Sequence, residues 1–193
     1  MPNGRGPKDI KTPKDGRGIK WSTLKQKRRK VKLENGDETE VPVTWRAFGN
    51  SAQYAGYEVE LDEDPTIQVW VLITGTEPPG GDYKGWCHGL SFNDTIYSPG
   101  GEAVPAILAA AWKEVKCADA KKGDIIVYFD AAGNVTHSAT SNGDGTYKSK
   151  GGSTPQKDNE TQASMDTTYK VPPGSKNAIR RRSRRLRGRY FWG

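Results

Sequence analysis

The segment from Gly123 to Lys150 constrains the fold most. It holds three short runs of strand-forming residues, Asp124 to Phe129, Gly133 to Ser141 and Thr146 to Lys150. Two turn signals cut them apart, one at Gly133 and one at Asn142-Gly143-Asp144-Gly145. Runs this short joined by turns this tight have room only for antiparallel neighbours, since parallel pairing needs a long crossover. The sequence therefore predicts an antiparallel sheet over about 124–150.

Other elements follow from the same reasoning. Lys30 to Glu34 and Thr39 to Val43 flank Asn35-Gly36, which predicts a hairpin. Thr66 to Thr74 (TIQVWVLIT) is β-branched and apolar and reads as a buried strand. Gly101 to Lys116 is rich in alanine and reads as a helix, with Pro105 tolerated in its first turn. Residues 151–164 are polar and read as a loop. The expected fold class is α+β, with Val69, Val71, Ile73, Leu108, Trp112, Ile125, Val127 and Phe129 in the core. Of 193 residues only 33% are hydrophobic, so the core is expected to be small or the ends loosely packed. The expected division is a flexible basic arm over 1–28, a globular domain over 29–174 and an Arg-rich aromatic tail over 175–193.

The net charge of +7 is concentrated at the ends. One cluster is Lys25, Lys27, Arg28, Arg29, Lys30 and Lys32; the other includes Arg180, Arg181, Arg182, Arg184 and Arg185. Such ends suit a polyanion or an acidic protein partner, and they also occur as solvated tails. No stretch approaches the roughly 18–20 apolar residues of a membrane span, and the N-terminus lacks the apolar core of a Sec signal. The expectation is a soluble chain, cytoplasmic or exported by a signal-independent secretion system.

Chemistry has few carriers here, because the chain has two cysteines and two histidines. Cys87 follows a Gly-rich loop, in GGDYKGWCHGLSF, where a helix start would place sulfur near the positive end of the helix dipole. His88 is adjacent to it, and neighbours on a helix point about 100° apart. His137 is the other imidazole and the candidate base. Cys117 reads as structural. A Cys87–Cys117 bridge would sequester the thiol. A zinc site made of Cys87, His88, Cys117 and His137 fits poorly, because paired ligands are normally separated by two to four residues. No cofactor is expected.

The stretch GDIIVYFDAAGNVTHSATSNGDGTYKSKGG resembles the second half of NlpC-type or CHAP-type papain-like cysteine hydrolases. The matching features are Gly123-Asp124, the strand to Phe129, His137 opening the next strand, and the turn at Asn142 to Gly145, with Cys87 and a helix upstream. Two strings depart from that pattern: Trp86-Cys87-His88-Gly89 around the nucleophile, and the polar run Ser138 to Ser141 after the histidine. The resemblance implies a papain-like core with Cys87 as nucleophile, His137 as base and Ser149, placed by strand register, as the third residue. The oxyanion donors would be the Cys87 backbone N–H and one upstream side chain, for which Tyr83 is the candidate on proximity alone, with His88 as the other candidate for oxyanion or substrate contact. The implied activity is cleavage or transfer of an amide or acyl bond in a peptidoglycan peptide or protein side chain. That would suit a secreted antibacterial or host-directed effector, for which the expected partner is an acidic protein of the immunity type. The alternative is a non-enzymatic module binding nucleic acid or an acidic partner through the basic ends.

Overall fold

The computed structural model describes residues 14–46, 53–74, 86–93, 97–152, 154–169 and 178–182. It is a mixed α+β structure built mostly of antiparallel sheet. The strands in chain order are β1 (Ile19–Gln26), β2 (Arg28–Lys32), β3 (Glu38–Pro42), β4 (Thr44–Arg46), β5 (Gln53–Leu61) and β6 (Thr66–Thr74). Helix α1 (Cys87–Phe92), β7 (Ser98–Pro99), helix α2 (Val104–Ala111) and β8 (Trp112–Val115) follow. The chain continues through β9 (Ile125–Phe129), β10 (Val135–Ser141), β11 (Thr146–Ser149), β12 (Lys157–Thr161), helix α3 (Gln162–Thr168) and β13 (Ala178–Arg182). One sheet runs β1-β5-β6-β7 with β4 also on β5, a six-stranded sheet runs β12-β11-β10-β9-β13-β8, and β2-β3 forms a separate ribbon.

Strand β9 shows why the two halves cohere. Ile125 and Val127 point into the larger core, with Ile19, Trp21, Val59, Val69, Val71, Val104 and Ile107. Ile126 and Tyr128 point the other way, into a second cluster with Ala139, Tyr147 and Met165. A strand covered on both faces is apolar at every position, which is the pattern Ile-Ile-Val-Tyr-Phe presents. Helix α2 covers the first face. Val104, Ile107, Leu108 and Ala111 are buried at helical spacing, and Pro105 lies in the first turn. Of the expected core residues, Phe129 is only partly buried, and the side chain of Ile73 lies outside the described residues.

Several expectations are corrected. The arm over 1–28 ends earlier than expected: Ile19 and Trp21 are buried in β1, which pairs with β5. Residues 1–13 lie outside the described residues. The expected helix over 101–116 stops at Ala111, and Trp112–Val115 becomes β8 because β13 hydrogen-bonds to it. Tertiary pairing overrides local helix propensity there. The expected loop over 151–164 contains β12 and the start of α3, which Thr161 caps by accepting from the Ser164 N–H. The expected tail over 175–193 contains β13, which lies between β8 and β9.

The basic clusters also take structural places. Arg28 and Lys30 face Glu40 and Glu38 across the β2–β3 ribbon, at 3.7 and 3.9 Å. Lys27 lies 3.6 Å from Glu58, and Arg180 lies 3.2 Å from Glu114. The side chains of Arg181 and Arg182 are outside the described residues, as are Arg184 and Arg185 altogether. Among the described residues, no helix is long and apolar enough to cross a membrane.

Candidate active site

Helix α1 packs across β10 and touches β11, which brings the Cys-His string to the strand that carries His137. The ladder between β10 and β11 pairs Thr140 with Lys148 and Ser141 with Tyr147. Further along β10, the backbone N–H of Ser138 points at the Cys87 sulfur and hydrogen-bonds to it. The register between β10 and β9 shifts between Val135 and His137, leaving Thr136 as an extra residue. Such a bulge re-aims the side chains beyond it. Val135 therefore joins the larger core while Ala139, on the face of His137, joins the second.

Cys87, His88 and His137 line one cavity of about 590 Å³, together with Trp45, Trp70, Trp86, Glu102 and Tyr169 among others. Trp45, on β4, is within 6 Å of both Trp70 and Trp86 by ring centroid, at 5.9 Å each. Gly56 leaves room for this wall: a Cβ there would come within 3.2 Å of the Trp70 ring. Gly101 does the same on the other side, since a Cβ there would sit 2.7 Å from the Val135 carbonyl oxygen.

Both imidazoles of the cavity are tied down. His88 Nδ1 is 2.8 Å from Ser138 Oγ, and His137 Nε2 is 3.1 Å from Ser149 Oγ. The hydrogen bonds of both rings thus run to serines. Ser149, expected from register as the third residue, is fully buried beside His137. The register explains this: extending the pairing of Thr140 with Lys148 by one step sets Ser149 opposite Ala139, on the same face as His137. His137 is stacked on Tyr169 and lies near Tyr128, whose hydroxyl donates to Asp166.

Burial sets the protonation. It pushes the Cys87 thiol up to about 11, although the N–H groups of Ser138, His88 and Cys87 itself act in the opposite direction. It pulls His88 down to about 4. His137 is lowered to about 3, by burial first and by the His88 charge second, with Glu160 opposing. At neutral pH the resting site therefore holds a protonated thiol and neutral imidazoles. A helix start alone would favour the thiolate, by placing sulfur near the positive end of the dipole. Burial outweighs that here, because Cys87 is 8% exposed.

Cys117 is exposed and both cysteines are free. Among the described residues, no group of three or more His, Cys, Asp and Glu could hold a metal ion. Tyr83 lies outside the described residues. Sequence reasoning missed Glu160, because 151–164 read as a loop, and Tyr169, which lies just beyond that segment in a stretch to which the sequence assigned no element. The capping threonine Thr161, followed by Gln-Ala-Ser-Met, was the available signal of a helix there. No family model matches the chain, and no curated protein or solved structure is matched by it.

Proposed function

We propose that the protein is a papain-like cysteine hydrolase that cleaves or transfers an amide or related acyl bond. Cys87 is the nucleophile and His137 the base, while Ser149 holds the imidazole. The observation that carries this reading is the convergence of Cys87, from a helix, and His137, from a bulged strand, on one cavity, with His137 Nε2 engaged by Ser149. An imidazole held at Nε2 has Nδ1 for proton transfer, which is the division of labour such a pair needs.

With both groups neutral at rest, the thiol proton passes to His137 as the sulfur–carbon bond forms. His137 then protonates the leaving nitrogen as the carbon–nitrogen bond breaks, leaving a thioester on Cys87. Water or an amine attacks the thioester, and the sulfur leaves and regains its proton. The Cys87 backbone N–H is the candidate oxyanion donor. A peptidoglycan peptide or a protein side-chain amide is the proposed substrate class, in keeping with the NlpC-type or CHAP-type resemblance and a role as an exported effector.

The test is release of amine from peptide and side-chain amides, with mass spectrometry for an acyl adduct on Cys87. Cys87→Ala and His137→Ala should each abolish turnover with the fold retained, and His88→Ala should be milder. Turnover that survives Cys87→Ala overturns the mechanism.

A further inference from the structure

Behind His137 lies a second tier of polar groups that the pair does not use directly. Strand β12 lies against β11, with Ser149 opposite Lys157 and Tyr147 opposite Glu160. Glu160 is 7% exposed, on the strand beside Ser149. Its carboxylate receives Lys157 Nζ at 2.8 Å and Ser164 Oγ at 3.2 Å, and a hydrogen bond links it to Ser149. The Tyr169 hydroxyl also reaches Ser149. Burial alone would raise the Glu160 carboxyl, but the hydrogen bonds from Lys157, Ser149 and Ser164 bring it below its ordinary range, so it is ionised at neutral pH.

The direction of each bond follows from counting donors. A serine hydroxyl has one proton and two lone pairs, and a carboxylate only accepts. The Ser149 proton therefore goes to Glu160. Its lone pairs are left to accept from His137 Nε2–H and from the Tyr169 hydroxyl. In that arrangement His137 carries its proton on Nε2 and presents a bare Nδ1. With no acceptor at 160, the Ser149 proton is free to turn to His137 Nε2, which would force the ring proton onto Nδ1 and block the base.

Resting on the hydrolase reading above, we propose that Glu160 is a positioning residue: through Ser149 it holds His137 in the Nε2–H form, with Nδ1 available for the Cys87 proton. The groups facing the imidazole are Tyr128 on β9, Ser149 on β11, Tyr169 after α3, and Cys87 and His88 on α1, with Glu160 on β12 behind Ser149. Among them Glu160 is the one whose charge favours an imidazolium.

The chain has two histidines, so a spectrum of protein labelled with ¹⁵N in its imidazoles contains two rings, told apart with His88→Gln. At neutral pH the wild-type His137 should show the Nε2–H tautomer. Glu160→Gln should keep it, because the amide oxygen still accepts from Ser149. Glu160→Leu should shift it to Nδ1–H and lower kcat by about 10- to 100-fold with little change in KM, the scale at which groups behind metal-bound imidazoles act. A wild-type Nδ1–H tautomer overturns the proposal, and it needs no variant to fold. So does a folded Glu160→Leu protein that keeps Nε2–H. The expected tautomers in a protein that hydrolyses no amide support the hold by Glu160 and overturn the hydrolase reading. Turnover by a wild type with Nδ1–H does the reverse.

Discussion

The imidazole of His137 lies flat on the phenol of Tyr169, with ring centroids 3.7 Å apart and planes 14° from parallel. Tyr169 caps the C-terminus of α3, and its N–H bonds to the Met165 carbonyl. Met165 is in turn fully buried in the second core. The stack thus ties the ring of the candidate base to a helix that the core fixes.

Removing that cover should change both stability and titration. Tyr169→Ala should cost about 1–3 kcal/mol, the stacking plus part of the lost burial. It should also let water reach His137, whose pKa should rise from about 3 toward its ordinary 6.5. Tyr169→Phe keeps the stack and should leave the titration little changed, losing only the hydroxyl's bond to Ser149, worth about 1 kcal/mol. Denaturant midpoints and an NMR titration of His137 measure the two effects. An unchanged titration in Tyr169→Ala would mean that burial by other groups controls the ring.

The thiols should react in an order opposite to that expected of an activated Cys87. Cys87 is buried with its pKa pushed up to about 11, whereas Cys117 is exposed. The thiolate is the reactive form, and a free thiol has a pKa of about 8.5. Cys87 of the unliganded protein should therefore be alkylated at neutral pH on the order of 100-fold more slowly than a free thiol, and Cys117 should be labelled first. Site-resolved mass spectrometry after timed alkylation gives both rates. Faster labelling of Cys87 would show a resting ion pair with His137, contrary to the neutral site described above.

Acid should destabilise the fold through the two histidines. Both are lowered, His88 to about 4 and His137 to about 3. Below about 6.5 the unfolded chain binds protons that the folded chain refuses. Their contribution is thus complete above pH 6.5 and is lost as pH falls toward 4, at about 1.4 kcal/mol per pH unit for each ring. Unfolding free energies from urea titrations between pH 7 and 4.5 should fall with a slope that approaches two protons below about pH 5.5, and His88→Gln should remove about one of them. Equal slopes in the two proteins would place His88 in contact with water in solution.

The parts of the fold that could be read from sequence are those whose pattern is local. The β2–β3 hairpin is legible from Asn35-Gly36, and Gly36 does take a positive φ of 90°. The run β9-β10-β11 is legible from its turns, and with it the placement of Ser149 near His137. What escaped depends on partners distant in sequence. Trp112–Val115 has helix-forming neighbours and becomes a strand only because β13 comes from more than sixty residues away. Residues 19–26 alternate apolar and polar at Ile19, Lys20 and Trp21, but six nearby basic residues hid the strand. Glu160 could not be found from composition, since an acid in a polar stretch is normally solvated.

The role of β13 gives the sharpest test of the architecture. Arg180 pairs with Glu114 on one side and Ile125 on the other, so it lies inside the six-stranded sheet, one strand from its edge. Its guanidinium reaches Glu114, but that carboxylate is 64% exposed, and an ion pair so open to water is worth about 0–1 kcal/mol. The backbone matters more. Proline at 180 removes an N–H from a strand with neighbours on both sides and sets a ring against the ladder. A carbonyl left unpaired inside the sheet alone costs about 1–3 kcal/mol. Arg180→Ala should therefore change stability by less than about 1 kcal/mol, while Arg180→Pro should cost at least about 2 kcal/mol or prevent folding. Thermal or denaturant unfolding of the two variants separates these effects. Equal and small losses in both would mean that the strand does not hold the sheet in solution, and that residues 178–182 behave as the charged tail their sequence suggests.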